Sequence, residues 1–211
     1  MKQILLALVV FTCMVQATEY RQHRVNIKAL SATKFELTDV NLENPRTVDL
    51  KGKYFFVVSV REPGSDGTVY AVDKDGTIWW FGTISSDAGG GKLLKKNGKL
   101  VPRGGHETNN NLFHVLAKRR FHMSSTHPDP RGINNMDFEI QFTQDGQALH
   151  LGNIKAMSHG CIHVGRQDIG PLFKLAKVGM PVVVMRGHYK QFLNAEVSEF
   201  EDKLKAYDRT H

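Results

Sequence analysis

The sequence predicts a mainly β, α+β domain. After the first 17 residues its apolar stretches are only strand-long, and they are rich in β-branched and aromatic residues. Turn motifs containing glycine and aspartate separate these stretches, and helical periodicity is confined to two segments near the C-terminus. No internal repeat or low-complexity tract interrupts the pattern, so one principal domain is expected.

Residues 1–17 have the pattern of a signal peptide. Lys2 is followed by an apolar run that ends in small residues, with Ala17 last, and such a segment is removed on export. The run is shorter than the ~20 apolar residues that a membrane span needs. We therefore expect an exported protein that starts near Thr18 and acts in the periplasm or cell envelope, without a stable membrane span.

The rest of the chain divides into three parts. Residues 18–49 form an N-terminal segment, and residues 50–187 form the principal domain. Residues 188–211 are expected to form an amphipathic C-terminal helix, because aromatic and aliphatic residues recur there at helical spacing. Its default role is to pack on the domain.

Within the principal domain, strands are expected wherever branched and aromatic residues cluster. The turn at Asp73–Gly76 joins two of them and the turn at Gln144–Gly146 joins two more, so two hairpins are predicted. One helix, Gln167–Val178, precedes the last strand. The predicted strands are Tyr54–Val60, Thr68–Val72, Thr77–Gly82, Phe138–Thr143, Gln147–Leu151, Gly160–Val164 and Pro181–Met185.

The charge balance is basic, with 28 lysine and arginine residues against 21 aspartate and glutamate residues. These basic residues are scattered in short groups rather than collected in a patch, so nucleic acid is not indicated as a partner. A positive balance suits the anionic surroundings of a cell envelope.

Cys161 is the most informative residue. Cys13 would leave with the signal peptide, so the exported chain keeps one thiol that has no internal cysteine to pair with. Burial as a small hydrophobic side chain is one explanation. A nucleophile is the other, and the flanking His159 and His163 favour it because nearby imidazoles promote formation of the thiolate.

If Gly160–Val164 is extended, alternation places His159, Cys161 and His163 on one face of the strand. His150 ends the preceding hairpin and should lie close to them. Gly160 allows a sharp turn, so that backbone amides beside the thiol can point at a developing oxyanion.

Residues Ser158–Ile162 resemble the core motif of the L,D-transpeptidases, the YkuD-type catalytic domain. The strand Gly146–His150 is similar to the one that bears this family's upstream histidine, and the segment Leu112–Met136 is similar to the strand and loop that lead into it. Asp168 and Gly179–Val184 resemble the helix and closing strand. The resemblance implies a compact β-sandwich or barrel.

The resemblance also implies an activity. Cys161 would be acylated by a peptidoglycan tetrapeptide stem at diaminopimelate, with release of the terminal D-alanine, and an amine acceptor would then take the acyl group. Peptidoglycan stem peptides are the implied partners, and an envelope protein is a possible acceptor. No cofactor or metal is implied.

The resemblance assigns roles to individual residues. Cys161 matches the nucleophile, and His150 matches the histidine that accepts and returns its proton. His159 and Gly160 match positions that shape the pocket and the oxyanion site, and Ser158 matches a hydrogen-bonding support.

The sequence departs from the family pattern in three places. His163 stands where the family usually has an arginine, and Arg166 is a candidate to compensate for the lost charge. The interval from His150 to Cys161 is short, so the loop between them must be tight. The family's upstream Thr-Pro-x-Gly pattern is replaced around Thr108–Asn111.

Three alternatives remain open at this level. Water in place of the amine acceptor would make the protein an L,D-carboxypeptidase. The histidines around Cys161 could instead bind zinc through imidazole and thiolate ligands. A catalytically silent envelope-binding module could also have kept the fold.

Overall fold

The structure, a computed structural model, describes residues 25–39, 44–61, 66–87, 93–96, 99–102, 108–124 and 135–193. The predicted signal peptide and residues 194–211 of the predicted C-terminal helix lie outside these ranges. No helix within them is long and apolar enough to cross a bilayer.

The described elements are mostly strands, with one α-helix. The strands are β1 Val25–Ala29, β2 Lys34–Asp39, β3 Pro45–Asp49, β4 Phe55–Val60, β5 Gly67–Val72, β6 Ile78–Ser85, β7 Leu93–Lys96, β8 Lys99–Pro102, β9 Asn111–His114, β10 Ala117–Arg119, β11 Glu139–Gln141, β12 Ala148–Leu151, β13 Ile162–Val164 and β14 Pro181–Arg186. Helix α1 spans Arg166–Leu175, and Lys190–Phe192 form a turn of 3₁₀-helix.

Nine strands form one curled sheet in the order β10-β11-β12-β13-β6-β5-β4-β14-β9. Strands β9 and β10 stand at opposite ends of this order, yet only Val115 and Leu116 separate them in the chain. The N–H of Val115 donates to Met180 O at 2.9 Å, and the N–H of Leu116 donates to Gln141 O at 2.7 Å. The two ends of the sheet are therefore drawn towards each other, and the sheet forms a half-barrel.

One face of this sheet holds the main hydrophobic core. Aliphatic residues from seven of its strands pack there against Ile169 and Leu172 of α1, all of them fully buried. This burial is the dominant favourable contribution to folding. Every residue of β4 is buried, because alternate side chains enter this core and a second one on the opposite face.

The second core lies between the sheet and the antiparallel sheet β1-β2-β3. Tyr189 occupies its centre. The ring stacks on Phe35 of β2 with centroids 6.0 Å apart and tilts against Tyr70 of β5 at 5.2 Å, and its hydroxyl donates to Ala32 O. One side chain near the C-terminus thus joins the small sheet to the large one.

The predicted mainly β fold with a helix after the cysteine motif is confirmed. The strand predicted at Gly160–Val164 begins only at Ile162, because Gly160 has a φ of +112° and is not extended. The small sheet was not predicted within residues 18–49. In the segment 188–211 the described part, up to Leu193, contains the 3₁₀ turn rather than α-helix.

We expect Tyr189→Phe to lower the free energy of unfolding by about 1–2 kcal/mol, because Ala32 O loses its donor while the ring contacts remain. Urea unfolding would measure the change. Tyr54→Phe is the matched control, since Tyr54 is 53 % exposed. Equal stability of the two variants would contradict the bridging role of the Tyr189 hydroxyl.

Candidate active site

Parallel pairing of β12 with β13 builds the site. The register places Leu149 beside Ile162 and His150 beside His163. Leu149 and Ile162 enter the main core, so the two histidines face the opposite side of the sheet. Cys161 immediately precedes β13, and a backbone hydrogen bond from Ala148 reaches its thiol. The predicted proximity of His150 to the cysteine strand therefore holds in the structure.

Ser158 holds the motif loop, the segment Ser158–Cys161 that leads into β13. Its hydroxyl donates to Cys161 O and accepts from the N–H of Gly160 at 3.1 Å. The N–H of Ser158 itself donates to Ser86 O at 3.0 Å. Because the Gly160 N–H is engaged with Ser158, it is not presented to an oxyanion in this arrangement.

The Cys161 thiol is partly buried and protonated. It donates to Gly146 O, with the sulfur 3.8 Å from the oxygen. Burial, together with the carboxylates of Glu139 and Asp145, raises the pKa of the thiol to about 11. The sequence-based expectation that neighbouring imidazoles favour a resting thiolate is therefore wrong for this structure.

His150 is buried and neutral. Burial is the largest cause that lowers its pKa to about 4, and the imidazoles of His163 and His122 add to the effect. Its Nδ1 lies 2.8 Å from Leu151 O, so Nδ1 carries the hydrogen and donates it. The Nε2 atom is then the acceptor nitrogen, which is the form required of a general base.

His163 binds the loop that connects β12 with β13. Its Nδ1 lies 2.9 Å from Ala156 O and 3.1 Å from Asn153 O, so this nitrogen is also the donor. The ring packs edge-on against His150 with centroids 5.1 Å apart. A Cβ at Gly152 would meet the His163 ring at 2.6 Å, so only glycine allows this close approach.

Two candidate residues are exposed to solvent. His159 is exposed, and Arg166 is exposed at the first position of α1. Alternation predicted His159 on the same face as Cys161, but the positive φ of Gly160 interrupts the strand between them. The premise of that prediction, an extended Gly160, is therefore wrong.

Sequence reasoning missed Glu139. Its carboxylate is buried on β11, accepts from Arg119 Nη1 at 2.6 Å and lies 3.9 Å from His122 Nε2. Alternation with Ile140 would have placed it on the polar face, but nothing local to the sequence shows that a carboxylate there is buried near a thiol.

The zinc alternative requires three or more ligands to converge. Among the residues that the structure describes, no group of three or more histidine, cysteine, aspartate or glutamate side chains could hold a metal ion. His150 and His163 each give Nδ1–H to backbone carbonyls.

The family model of the L,D-transpeptidase catalytic domain, YkuD, matches residues 53–184. The match covers more than half of the chain, and the protein belongs to this family. Members of the family act on peptidoglycan outside the cytoplasm. No curated protein matches the sequence.

Several solved L,D-transpeptidases are similar to this chain. L,D-transpeptidase 1 of Mycobacterium tuberculosis is 15% identical, with 77% of this chain and 82% of that chain covered and a TM-score of 0.41. An L,D-transpeptidase of Mycobacterium smegmatis is 15% identical, with 80% of each chain covered and a TM-score of 0.42. One from Stackebrandtia nassauensis is 15% identical, with 66% and 59% covered and a TM-score of 0.44. The chain thus spans less than two thirds of the length of the last protein.

The buried His150 should make the protein sensitive to acid. The unfolded imidazole takes up a proton near its ordinary pKa of 6.5, whereas the folded one does so only near 4, so stability falls as the pH drops through this window. At 1.36 kcal/mol per pKa unit, we expect about 3 kcal/mol to be lost between pH 7 and pH 4 through this group.

Urea unfolding at pH 7 and pH 4 would measure this loss. His150→Gln should remove the part of the acid-induced stability loss that comes from His150. His188→Gln, which alters an exposed histidine, should retain it. An acid loss of the same size in wild type and His150→Gln would contradict the assignment.

The raised pKa of the Cys161 thiol also has a measurable effect. Its value of about 11, against an ordinary thiol pKa of 9.0, leaves about a hundredfold less thiolate at pH 7, and higher intrinsic nucleophilicity offsets part of this deficit. We expect folded Cys161 to react with iodoacetamide about tenfold more slowly than the same residue in urea. Mass spectrometry of the Cys161 peptide gives both rates, and a faster folded reaction would show a resting thiolate.

Proposed function

We propose that this protein is a peptidoglycan-modifying cysteine acyltransferase, an L,D-transpeptidase exported to the periplasm or cell envelope. The acyl donor is a tetrapeptide stem that reacts at diaminopimelate, and an amine is the acceptor. Membership of the family supports the reaction type. The observation that carries the proposal is the neutral His150, whose acceptor nitrogen belongs to the strand directly beside the Cys161 thiol.

The chemistry starts from two neutral groups. The thiol leaves Gly146 O and gives its proton to Nε2 of His150 while Sγ attacks the diaminopimelate carbonyl. His150 then returns the proton to the amine of the departing D-alanine, and a thioester remains on Cys161. An acceptor amine attacks the thioester carbonyl and loses its proton to His150. A new amide bond forms as the carbon–sulfur bond breaks, and His150 returns the proton to Sγ to restore the thiol.

A neutral pair suits this sequence of steps. An imidazole that stays deprotonated down to about pH 4 is available as a base at neutral pH, and proton transfer of this kind contributes typically 10²–10⁴-fold to rate. Ser158 keeps the Cys161 backbone in place during attack. His163 supports the His150 ring from one side.

A second candidate is a catalytically silent envelope-binding module. Two observations favour it: the thiol is hydrogen-bonded to Gly146 O, and the Gly160 N–H is engaged with Ser158. An active enzyme must release the first contact and find its oxyanion donor elsewhere. Binding of peptidoglycan without turnover would support this candidate.

Release of D-alanine from a purified disaccharide tetrapeptide decides between the two. We expect wild type to release D-alanine, Cys161→Ala to release none, and His150→Gln to lose at least about a hundredfold in kcat. His188→Gln is the matched control and should keep wild-type kcat. Mass spectrometry would follow the products. If wild type releases no D-alanine, the catalytically silent binding module is the remaining candidate.

The same assay identifies the acceptor. A cross-linked dimer joined through two diaminopimelate residues indicates transpeptidation, whereas a tripeptide alone indicates L,D-carboxypeptidase activity. Adding a second stem lacking the terminal D-alanine should shift products toward the dimer if an amine is the preferred acceptor.

A further inference from the structure

Asp87 is a buried carboxylate just after β6, and none of the roles assigned so far includes it. Its side chain is 1 % exposed, while Arg186 places Nη2 3.0 Å from Oδ2 and Arg61 places Nη2 3.7 Å from Oδ1. Arg61 Nη2 also donates to Asp87 O. A buried charge costs several kcal/mol unless it is paired, and the two guanidinium groups supply that pairing.

Asp87 connects these arginines to the cysteine motif. The N–H of Thr108 donates to Asp87 Oδ2, and the Thr108 hydroxyl donates to Gly160 O at 3.0 Å. A β-bridge pairs Asp87 with Ser158 in parallel. The chain of contacts therefore runs from Asp87 through Thr108 to the peptide that joins Gly160 to Cys161.

The backbone of Gly160 needs contacts from other residues to hold its conformation. Glycine adopts a φ of +112° without steric penalty, and it can rotate away with equal ease. Ser158 holds its N–H and Thr108 holds its carbonyl. Without Thr108, the direction of the peptide before Cys161 would rest on Ser158 and on strand β13.

The arginines give Asp87 a fixed position. Arg61 lies between β4 and β5 with a φ of 57°, a conformation that an L side chain adopts only where surrounding contacts enforce it. Arg186 ends β14, which pairs with β4. The carboxylate is thus anchored to the central strands of the large sheet, far along the chain from the motif loop.

We propose that Asp87 is a positioning residue that acts through Thr108 to orient the Gly160 carbonyl and hence the Cys161 thiol. The expected effect on kcat rests on the proposed function, because it requires that the protein release D-alanine. Its structural part, the control of Cys161 by Thr108, concerns the thiol alone and can be measured without a peptidoglycan substrate.

The test compares Thr108→Val with Thr108→Ser, because valine keeps the shape and serine keeps the hydroxyl donor. We expect Thr108→Val to lower kcat for D-alanine release about tenfold with KM within about twofold, the size of one lost hydrogen bond of about 1.4 kcal/mol. Thr108→Ser should recover kcat to within about threefold of wild type. Thr83→Val, an exposed threonine on β6, is the matched control and should equal wild type.

A double-mutant cycle tests whether Asp87 acts through Thr108. Asp87→Asn keeps an oxygen acceptor but removes the charge that fixes the arginines, so kcat should fall in the same direction. If the two residues form one chain of contacts, the double variant Asp87→Asn/Thr108→Val should be no slower than the less active of the two single variants. If the factors by which kcat falls in the two single variants multiply in the double variant, the two residues act independently and the coupling is wrong.

The thiol itself gives the readout that is independent of substrate. Releasing Gly160 exposes Cys161, so its alkylation by iodoacetamide at pH 7 should become at least about threefold faster in Thr108→Val and remain at the wild-type rate in Thr108→Ser. Opposite changes in kcat and alkylation support positioning. If wild type releases no D-alanine but Thr108→Val still accelerates alkylation, the proposed function fails and the structural part of the inference stands. Unchanged alkylation in Thr108→Val overturns it.

Discussion

The parallel pairing of β12 with β13 is the constraint on which the site depends. Parallel neighbours usually need a crossover of a dozen or more residues, most often a helix, but only residues 152–161 connect these strands. The connection therefore folds back as a tight loop over the polar face of the sheet. His163 holds its carbonyls, Gly152 admits the His163 ring, and Ser158 fixes its end. The loop delivers Cys161 to the strand beside His150.

Burial shifts the pKa values of the two reactive groups, Cys161 and His150, in opposite directions. It raises the pKa of the Cys161 thiol and lowers that of His150, because the charged form of each is disfavoured away from water. The resting pair is thus thiol and imidazole, unlike the ion pair of many cysteine enzymes. A site of this kind keeps its nucleophile unreactive until the proton has moved to His150.

The remainder of the domain keeps this loop in place. Strand β4 is buried on both faces, so the centre of the large sheet is held between two hydrophobic cores. Arg61 and Arg186 stand at the ends of elements in this centre, and both contact Asp87. Ion pairs and hydrogen bonds thereby link the buried centre of the large sheet to the flexible loop that contains Gly160.

The sequence by itself indicated the helix and seven strands of the principal domain, since periodicity and turn residues are local signals, but it did not indicate β7, β8 or β10. It also indicated that the Cys161 thiol lies near His150 within a recognisable motif. The small sheet had a signal in the alternation of β1, but its partner surface is remote in sequence. Only the tertiary structure decided the protonation of Cys161 and His150, the exposure of His159, and the roles of Glu139 and Asp87. Those properties depend on burial and on contacts between residues far apart in the chain, such as Asp87 and Arg186, which no local pattern encodes.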